Sequence, residues 1–385
     1  MDSSSCWTRL TIYAVAAATF PLFFVYQLAV SKGLPPILGG YTGLVSALSL
    51  VAVLVVAFSF HYQRGFWVKF DISVVLLLGY GLAWSYTSQI YLLEKGLGEN
   101  VIGGLVIWFS YYLFGRIVLF EDRFFQRLFV VSYLIMLGVI LLNVEDGVFK
   151  LGRGESAATY QSFAYSFLFV SCFVIMSSSS LAVAWAFAAA TLIALVLNGA
   201  RSEFFAFLMI VGIYFLLARN KIISFAIIFI GLMGAFLNVA LLEGFEKNRF
   251  YNLVFMGAQG SLDERAVANA EGLETIIKNP ILGDFASYPP GLFAHNVTSA
   301  WVDLGFLGFV WFVLLALYCL FILIRTPCGF SKSNEKRMLL AMILAGIVLL
   351  LSAKYFTYPL FAVTLGLIVN FAIFIKETRA GGEAL

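Results

Sequence analysis

The chain is written in long apolar runs broken by short polar turns. A helix that crosses a bilayer needs about 20 mostly apolar residues. About twelve runs of that kind can be read, over residues 10–30, 38–60, 72–92, 101–118, 126–143, 159–177, 181–198, 203–218, 222–242, 299–324, 338–355 and 357–375. The runs 181–198 and 203–218 are separated only by the turn Asn198-Gly199-Ala200-Arg201-Ser202, in which Gly199 suits a helix C-terminus. The first run is too long for the core of a cleaved signal peptide and continues into Phe20, Phe23 and Phe24, so it is expected to remain as a span.

One polar interval is far longer than the others. Over 243–298 the apolar runs stop, and Ser261-x-x-Glu264 reads as a capping box. Leu262, Ala266, Ala270, Leu273 and Ile277 then recur at helical spacing until Asn279-Pro280 ends the pattern. This predicts an amphipathic helix of about 17 residues on the outer membrane face. The expected fold is an all-α polytopic membrane protein of about twelve transmembrane helices with one large periplasmic loop carrying that helix. Its divisions are a nine-span N-terminal bundle over 1–242, the loop over 243–298, and three spans with a cytoplasmic tail over 299–385.

Lysine and arginine set the sidedness. With the N-terminus inside, 14 of the 24 basic residues fall on inner segments and 10 on outer ones. Four of those ten lie in the long loop, where the rule is weak. Both termini are therefore expected in the cytoplasm, and the long loop outside.

Composition agrees. Hydrophobic residues make up 62% of the 385 and charged residues 12%, against roughly 25% charge in soluble domains. The mean hydropathy of +0.96 excludes a soluble enzyme and a disordered chain. A net charge of +3 gives no argument for nucleic acid. The cysteines, Cys6, Cys172, Cys319 and Cys328, all lie outside the long loop, and neither a disulfide nor a metal cluster is expected.

Few residues in such a chain can carry chemistry. Of the two histidines, His61 sits beside Arg64 at an inner span end and suits a solvated role. His295 closes the long loop where the tenth span begins, and imidazole can exchange a proton near neutral pH. Arg201 lies in a tight turn at membrane depth, followed by Ser202 and Glu203; its guanidinium can fork onto phosphate oxygens or pair with Glu203. Arg265 has no acidic residue three or four positions away on its own helix, which leaves it open to an external anion or to a partner elsewhere in the fold. Lys247 and Arg249 begin the same loop, whose net charge over 243–296 is −3, so it is no polybasic lipid patch. Tyr288 and Trp301 carry rings that suit interfacial anchoring or stacking on a sugar. No Walker loop or dinucleotide fingerprint is present.

Three stretches together resemble the superfamily of bacterial O-antigen polymerases and O-antigen ligases, glycosyltransferases of the cell envelope. They are Asn198-Gly-Ala-Arg201-Ser-Glu203-Phe; Arg265 with the helix ending in Asn279-Pro280-Ile-Leu-Gly283; and His295-Asn296 followed by Gly305-x-x-Gly308. Arg249-x-x-x-Leu253 is similar to an arginine motif of the ligases. The resemblance implies an inner-membrane enzyme working on the periplasmic face, with donor and acceptor oligosaccharides on undecaprenyl diphosphate, no nucleotide sugar, no cofactor and no metal. A chain-length regulator would be a partner beside the membrane lipids.

Carried onto these positions, His295 is the base or orients the acceptor, Arg201 and Arg265 hold the diphosphate, and Glu203 orients Arg201 or shares the base role. Substrate binding falls to Lys247, Arg249, Tyr288, Asn296 and Asp303. The Gly-Ala-Arg-Ser-Glu-Phe turn favours a polymerase. A ligase that transfers the glycan to lipid A–core is the alternative within the family. A flippase for lipid-linked oligosaccharides is the alternative outside it, although such carriers show paired halves that this chain lacks.

Overall fold

The computed structural model of the protein describes residues 3–31, 33–35, 50, 54, 69–92, 98–145, 148–149, 160–217, 259–287, 294, 296–327 and 333–382. In chain order its elements are α1 (Ser3–Ala17), α2 (Phe23–Ser31), α3 (Lys69–Leu92), α4 (Gly98–Ile117), α5 (Arg123–Leu142), β1 (Val144–Glu145), β2 (Val148–Phe149), α6 (Tyr160–Met176), α7 (Leu181–Asn198), α8 (Arg201–Leu217), α9 (Gln259–Lys278), α10 (Ser299–Arg325), α11 (Ser333–Ser352) and α12 (Pro359–Gly382). β1 and β2 form a minimal antiparallel ladder with Val144 opposite Phe149.

Helices lie over ten of the apolar runs. The run 38–60, residues 50 and 54 apart, and the run 222–242 lie outside the described residues. Among the described residues five stretches are long and apolar enough to cross a membrane, Trp7–Tyr26, Arg123–Leu142, Leu181–Asn198, Ser299–Arg325 and Pro359–Thr378, and mark a membrane protein by length and composition. Val101–Ile117 and Phe163–Met176 are shorter apolar stretches.

Local chemistry sets the helix ends. The Asp122 carboxylate caps α5 by accepting the Phe125 N–H at 2.8 Å. It also accepts the Tyr13 hydroxyl at 2.8 Å and lies 3.6 Å from the Arg9 guanidinium. Burial opposes its ionisation, but these donors outweigh that and hold the carboxyl below its ordinary range. Gly199, at φ 75°, closes α7 by donating its N–H to the carbonyls of Leu195 and Val196. The expected split between α7 and α8 is therefore present, but Arg201 is the first residue of α8 rather than part of the turn. The first run is not one straight helix. A π-helical turn, Ala18–Leu22, separates α1 from α2, and Pro21 inside it lacks the N–H that a regular helix would use.

The chain packs as two compact units. The first comprises Met1–Ala52, Val118–Ala258 and Cys328–Ala345; the second comprises Val53–Ile117, Gln259–Pro327 and Gly346–Leu385. The first unit has an aromatic core in which Phe20 stacks on Phe169 at 5.0 Å and Phe129 meets Phe173 at 4.3 Å. Many of the chain's aromatics thus serve packing.

The second unit is built on a closer approach. α4 and α12 cross with their backbones in contact: a Cβ on Gly115 would stand 2.3 Å from the Val363 carbonyl oxygen, and one on Gly366 would stand 2.1 Å from that of Tyr112. The Asn370 amide donates across the crossing to the Gly115 carbonyl at 3.3 Å. Beside it, Arg116 and Asp71 form a bidentate pair, Nε to Oδ1 at 2.7 Å and Nη2 to Oδ2 at 3.1 Å, to which the Tyr112 hydroxyl also donates. Arg116 is 3% exposed and Asp71 is 0% exposed. Arg116 is thus matched inside the fold by Asp71.

Removing one member of a buried pair strands a charge, at a cost of about 3–5 kcal/mol, whereas replacing both with apolar groups is often neutral. Asp71→Leu or Arg116→Met alone should destabilise the detergent-solubilised protein by about that amount, and the double variant by far less. Denaturant unfolding of the four proteins checks this, and additive losses would contradict the closed-pair description.

Candidate functional site

The chemistry-bearing residues fall into two groups, one in each unit. In the first unit α7 and α8 meet at the Gly199 turn. Glu203 lies in the first turn of α8, where the helix dipole favours a carboxylate. It is fully buried and accepts the Ser202 hydroxyl at 2.8 Å. Arg201 is half-buried. Asn198 ends α7 and is 2% exposed, yet among the described residues neither its amide nitrogen nor its amide oxygen has a hydrogen-bond partner. An orphaned buried donor or acceptor costs about 1–3 kcal/mol. Sequence reading treated Asn198 only as part of a turn, because nothing in the sequence marks an amide as unsatisfied.

In the second unit the site is built around an interrupted helix. α10 was expected to be continuous, but Gly305 has φ 67° and ψ −178°, so the helix breaks there. The loop after α9 takes over the bonds that the break releases. Asp284 N–H donates to the Val302 carbonyl at 2.6 Å, and Phe306 N–H to the Ile281 carbonyl at 3.1 Å. The Tyr80 hydroxyl donates to the Leu304 carbonyl at 2.8 Å. The indole N–H of Trp301 reaches the Pro280 carbonyl at 2.7 Å.

Two glycines permit this clasp. Gly283, at φ 70°, and Gly305 both occupy the left-handed region. A Cβ on Gly283 would stand 2.4 Å from the Val302 carbonyl oxygen, and one on Gly305 would stand 2.3 Å from that of Ile281. The Asn279-Pro280-Ile-Leu-Gly283 and Gly305-x-x-Gly308 stretches are therefore two halves of one contact.

Asp303 sits just before the break and is 0% exposed. It accepts the Ala286 N–H at 2.9 Å and the Tyr355 hydroxyl. Ala286 has φ 55°, a costly conformation for alanine. Phe285 and Ala286 pack with Val101, Trp84 and Ile102. With each carboxylate oxygen engaged and no exposed surface, Asp303 fixes the loop to α10.

α9 carries Arg265. The helix begins at Gln259, two residues before the expected cap, so Ser261 lies within it. It rests on the start of α10 through Ile276, Ala294, Val302 and Trp301. The Asn296 amide donates to the Asn269 side-chain oxygen at 3.4 Å. The Asn296 side-chain oxygen accepts the Thr298 N–H at 2.9 Å and the Thr298 hydroxyl, so this residue caps the approach to α10. Asn269 follows Arg265 by one helical turn. Arg265 is half-buried and makes no ion pair among the described residues. The fold thus brings Arg265, Asn269 and Asn296 to the junction of α9 with α10. Asn269 was missed as a site residue; its only sequence signal was its place beside Arg265 on the helix.

His295, Arg249, Lys247, Tyr288 and His61 lie outside the described residues. Cys172 and Cys319 are buried free thiols. Among the described residues no three His, Cys, Asp or Glu side chains converge to hold a metal ion.

Comparison with models of known protein families and with curated protein sequences finds no match for this chain.

The clasp gives a direct test. Gly283→Ala and Gly305→Ala should each open it, because the new methyl group would overlap a carbonyl oxygen. Gly79→Ala and Gly138→Ala, whose methyl groups would meet nothing within 4 Å, should leave it closed. Limited proteolysis of the detergent-solubilised protein, read as the rate of cleavage between residues 279 and 287, should rise at least tenfold in the first pair only.

Proposed function

We propose that this chain is an O-antigen polymerase of the bacterial inner membrane, a glycosyltransferase that moves a growing glycan from undecaprenyl diphosphate onto the next lipid-linked repeat unit. About twelve spans, both termini in the cytoplasm and the loop over 243–298 in the periplasm belong to the same proposal. The observation that carries it is Arg265. This guanidinium is half-buried and without an ion pair among the described residues, on a helix fixed to the start of α10 through Asn269 and Asn296. Asn296 is the chain neighbour of His295.

Such a cation suits the leaving group. As the glycosyl–oxygen bond to the diphosphate breaks, negative charge grows on the departing phosphate, and a fixed guanidinium stabilises it more than it stabilises the bound substrate. The acceptor hydroxyl attacks the sugar carbon and gives up its proton, for which His295 is the base. The new glycosidic bond forms as undecaprenyl diphosphate leaves. Arg201, with the buried Glu203 in the same turn, is the other cation the resemblance names for diphosphate.

Purified protein in lipid vesicles with undecaprenyl-diphosphate-linked repeat units should produce a ladder of glycan lengths on a gel. Arg265→Ala and His295→Ala should each slow that ladder by about 10²–10³-fold with normal expression. Arg265→Lys should not restore the rate, since an ammonium lacks the fork. One-step transfer only after lipid A–core is added would make the protein a ligase. Passage of lipid-linked glycan across the bilayer without bond formation would make it a carrier.

A further inference from the structure

α9 has three faces, and two bonding partners account for only two of them. Its buried positions are Ala268, Gly272 and Ile276, one row at four-residue spacing that faces the protein. Glu271, Glu274 and Lys278 form an exposed charged sector that Val267 interrupts. Lys278 pairs with Glu274 at 2.7 Å and holds its carboxyl below the ordinary value. Between the two runs a third sector of Ala266, Ala270, Leu273 and Ile277, apolar yet open, with Leu273 57% and Ile277 72% exposed. A helix between protein and water needs one apolar face and one polar face. A second apolar face, adjoining the first, calls for a second apolar medium.

The surroundings identify that medium. Beyond the end of α9, Ile281 and Leu282 are exposed as well. The bond from Phe306 N–H to the Ile281 carbonyl brings them beside exposed Phe306 and Leu307 on α10. From Leu307 the exposed row continues down that membrane-crossing helix through Leu314 and Phe321, at seven-residue spacing. The open sector of α9 is therefore continuous with the outer face of a spanning helix, and the charged sector lies on the far side.

We propose that α9 lies in the membrane interface, with Leu273, Ile277, Ile281 and Leu282 among lipid acyl chains and Glu271, Glu274 and Lys278 in water. Asn269 lies at the seam between the protein-facing row and the lipid-facing sector, and Arg265, one turn before it, lies on the protein-facing side, so both stand at the depth of the helix itself. Arg265 is thereby held at the level of the headgroup phosphates. This inference stands on the faces of α9 and not on the reaction proposed above, and its readouts involve no catalysis.

The test uses the full chain with Cys6→Ser and Cys328→Ser, in phosphatidylcholine–phosphatidylglycerol vesicles. A nitroxide is attached in turn to Leu273→Cys, Ile277→Cys, Ile281→Cys, Glu271→Cys, Glu274→Cys and Lys278→Cys. Collision with oxygen, which concentrates in lipid, is compared with collision with a water-soluble nickel chelate. The first three sites should favour oxygen and the last three nickel, with ratios at least fivefold apart. Equal nickel access at all six would overturn the proposal by placing α9 clear of the bilayer. Exclusion of both reagents from the first three would overturn it by showing a protein cover, such as a second copy of the chain. Unsubstituted protein photolabelled by a diazirine-bearing acyl chain gives a reading without variants. Labels should appear on Leu273, Ile277, Ile281 or Leu282, and their absence would also overturn the proposal.

Discussion

A peptide group inside a membrane has no water to bond, so any break in a spanning helix must be answered from within the protein. The break at Gly305 is the constraint around which the second unit is organised. Opening α10 there releases carbonyl and amide groups near the N-terminal end of a long apolar helix. The Val302 and Leu304 carbonyls find Asp284 and Tyr80, and the Phe306 amide finds Ile281. Those bonds require the loop backbone to touch the helix backbone, which only glycine allows at 283 and 305. The strained Ala286 and buried Asp303 follow from the same contact, since one bond joins them.

Docking the loop also fixes what precedes it. α9 ends at Lys278, one residue before the clasp begins, so closing the clasp leaves α9 little freedom to turn. Ile276 packing near Val302, and Asn269 meeting Asn296, set its rotation. Rotation decides which residues face protein, lipid and water, and so where Arg265 stands. A backbone defect in a spanning helix thereby places a side chain in a loop helix that sequence alone leaves adrift.

The apolar runs made the helices legible, because covering a helix with protein or with lipid demands a long apolar stretch whatever its neighbours are. The αL end of α7 was legible for a similar reason: Gly199 is a local signal with a local cause. The breaks were not. Gly305 sits in a run whose composition reads as continuous helix, and what stops that helix is a loop some 20 residues earlier in the chain. The glycines at 283 and 305 were noticed as a pattern without their shared cause. Arg265 was legible as a cation without a partner on its own helix, but Asn269 and Asn198 were not. Asn269 gains meaning only when Asn296 is brought to it, and Asn198 only because neither amide atom is met.

Arg116 and Arg265 show how context separates two identical side chains. Each is an always-charged group in a chain only 12% charged. Arg116 is sealed by Asp71 in a matched fork, with Tyr112 filling a remaining lone pair, so its charge is spent inside the fold. Arg265 stands on the protein-facing side of α9, one turn before Asn269, and no carboxylate among the described residues reaches it. Were its role structural, a nearby acid would be the simplest way to lower the cost of its partial burial, as Asp71 does for Arg116. On the proposed function, the anion that completes Arg265 comes from outside the polypeptide, from the phosphates of a lipid-linked substrate.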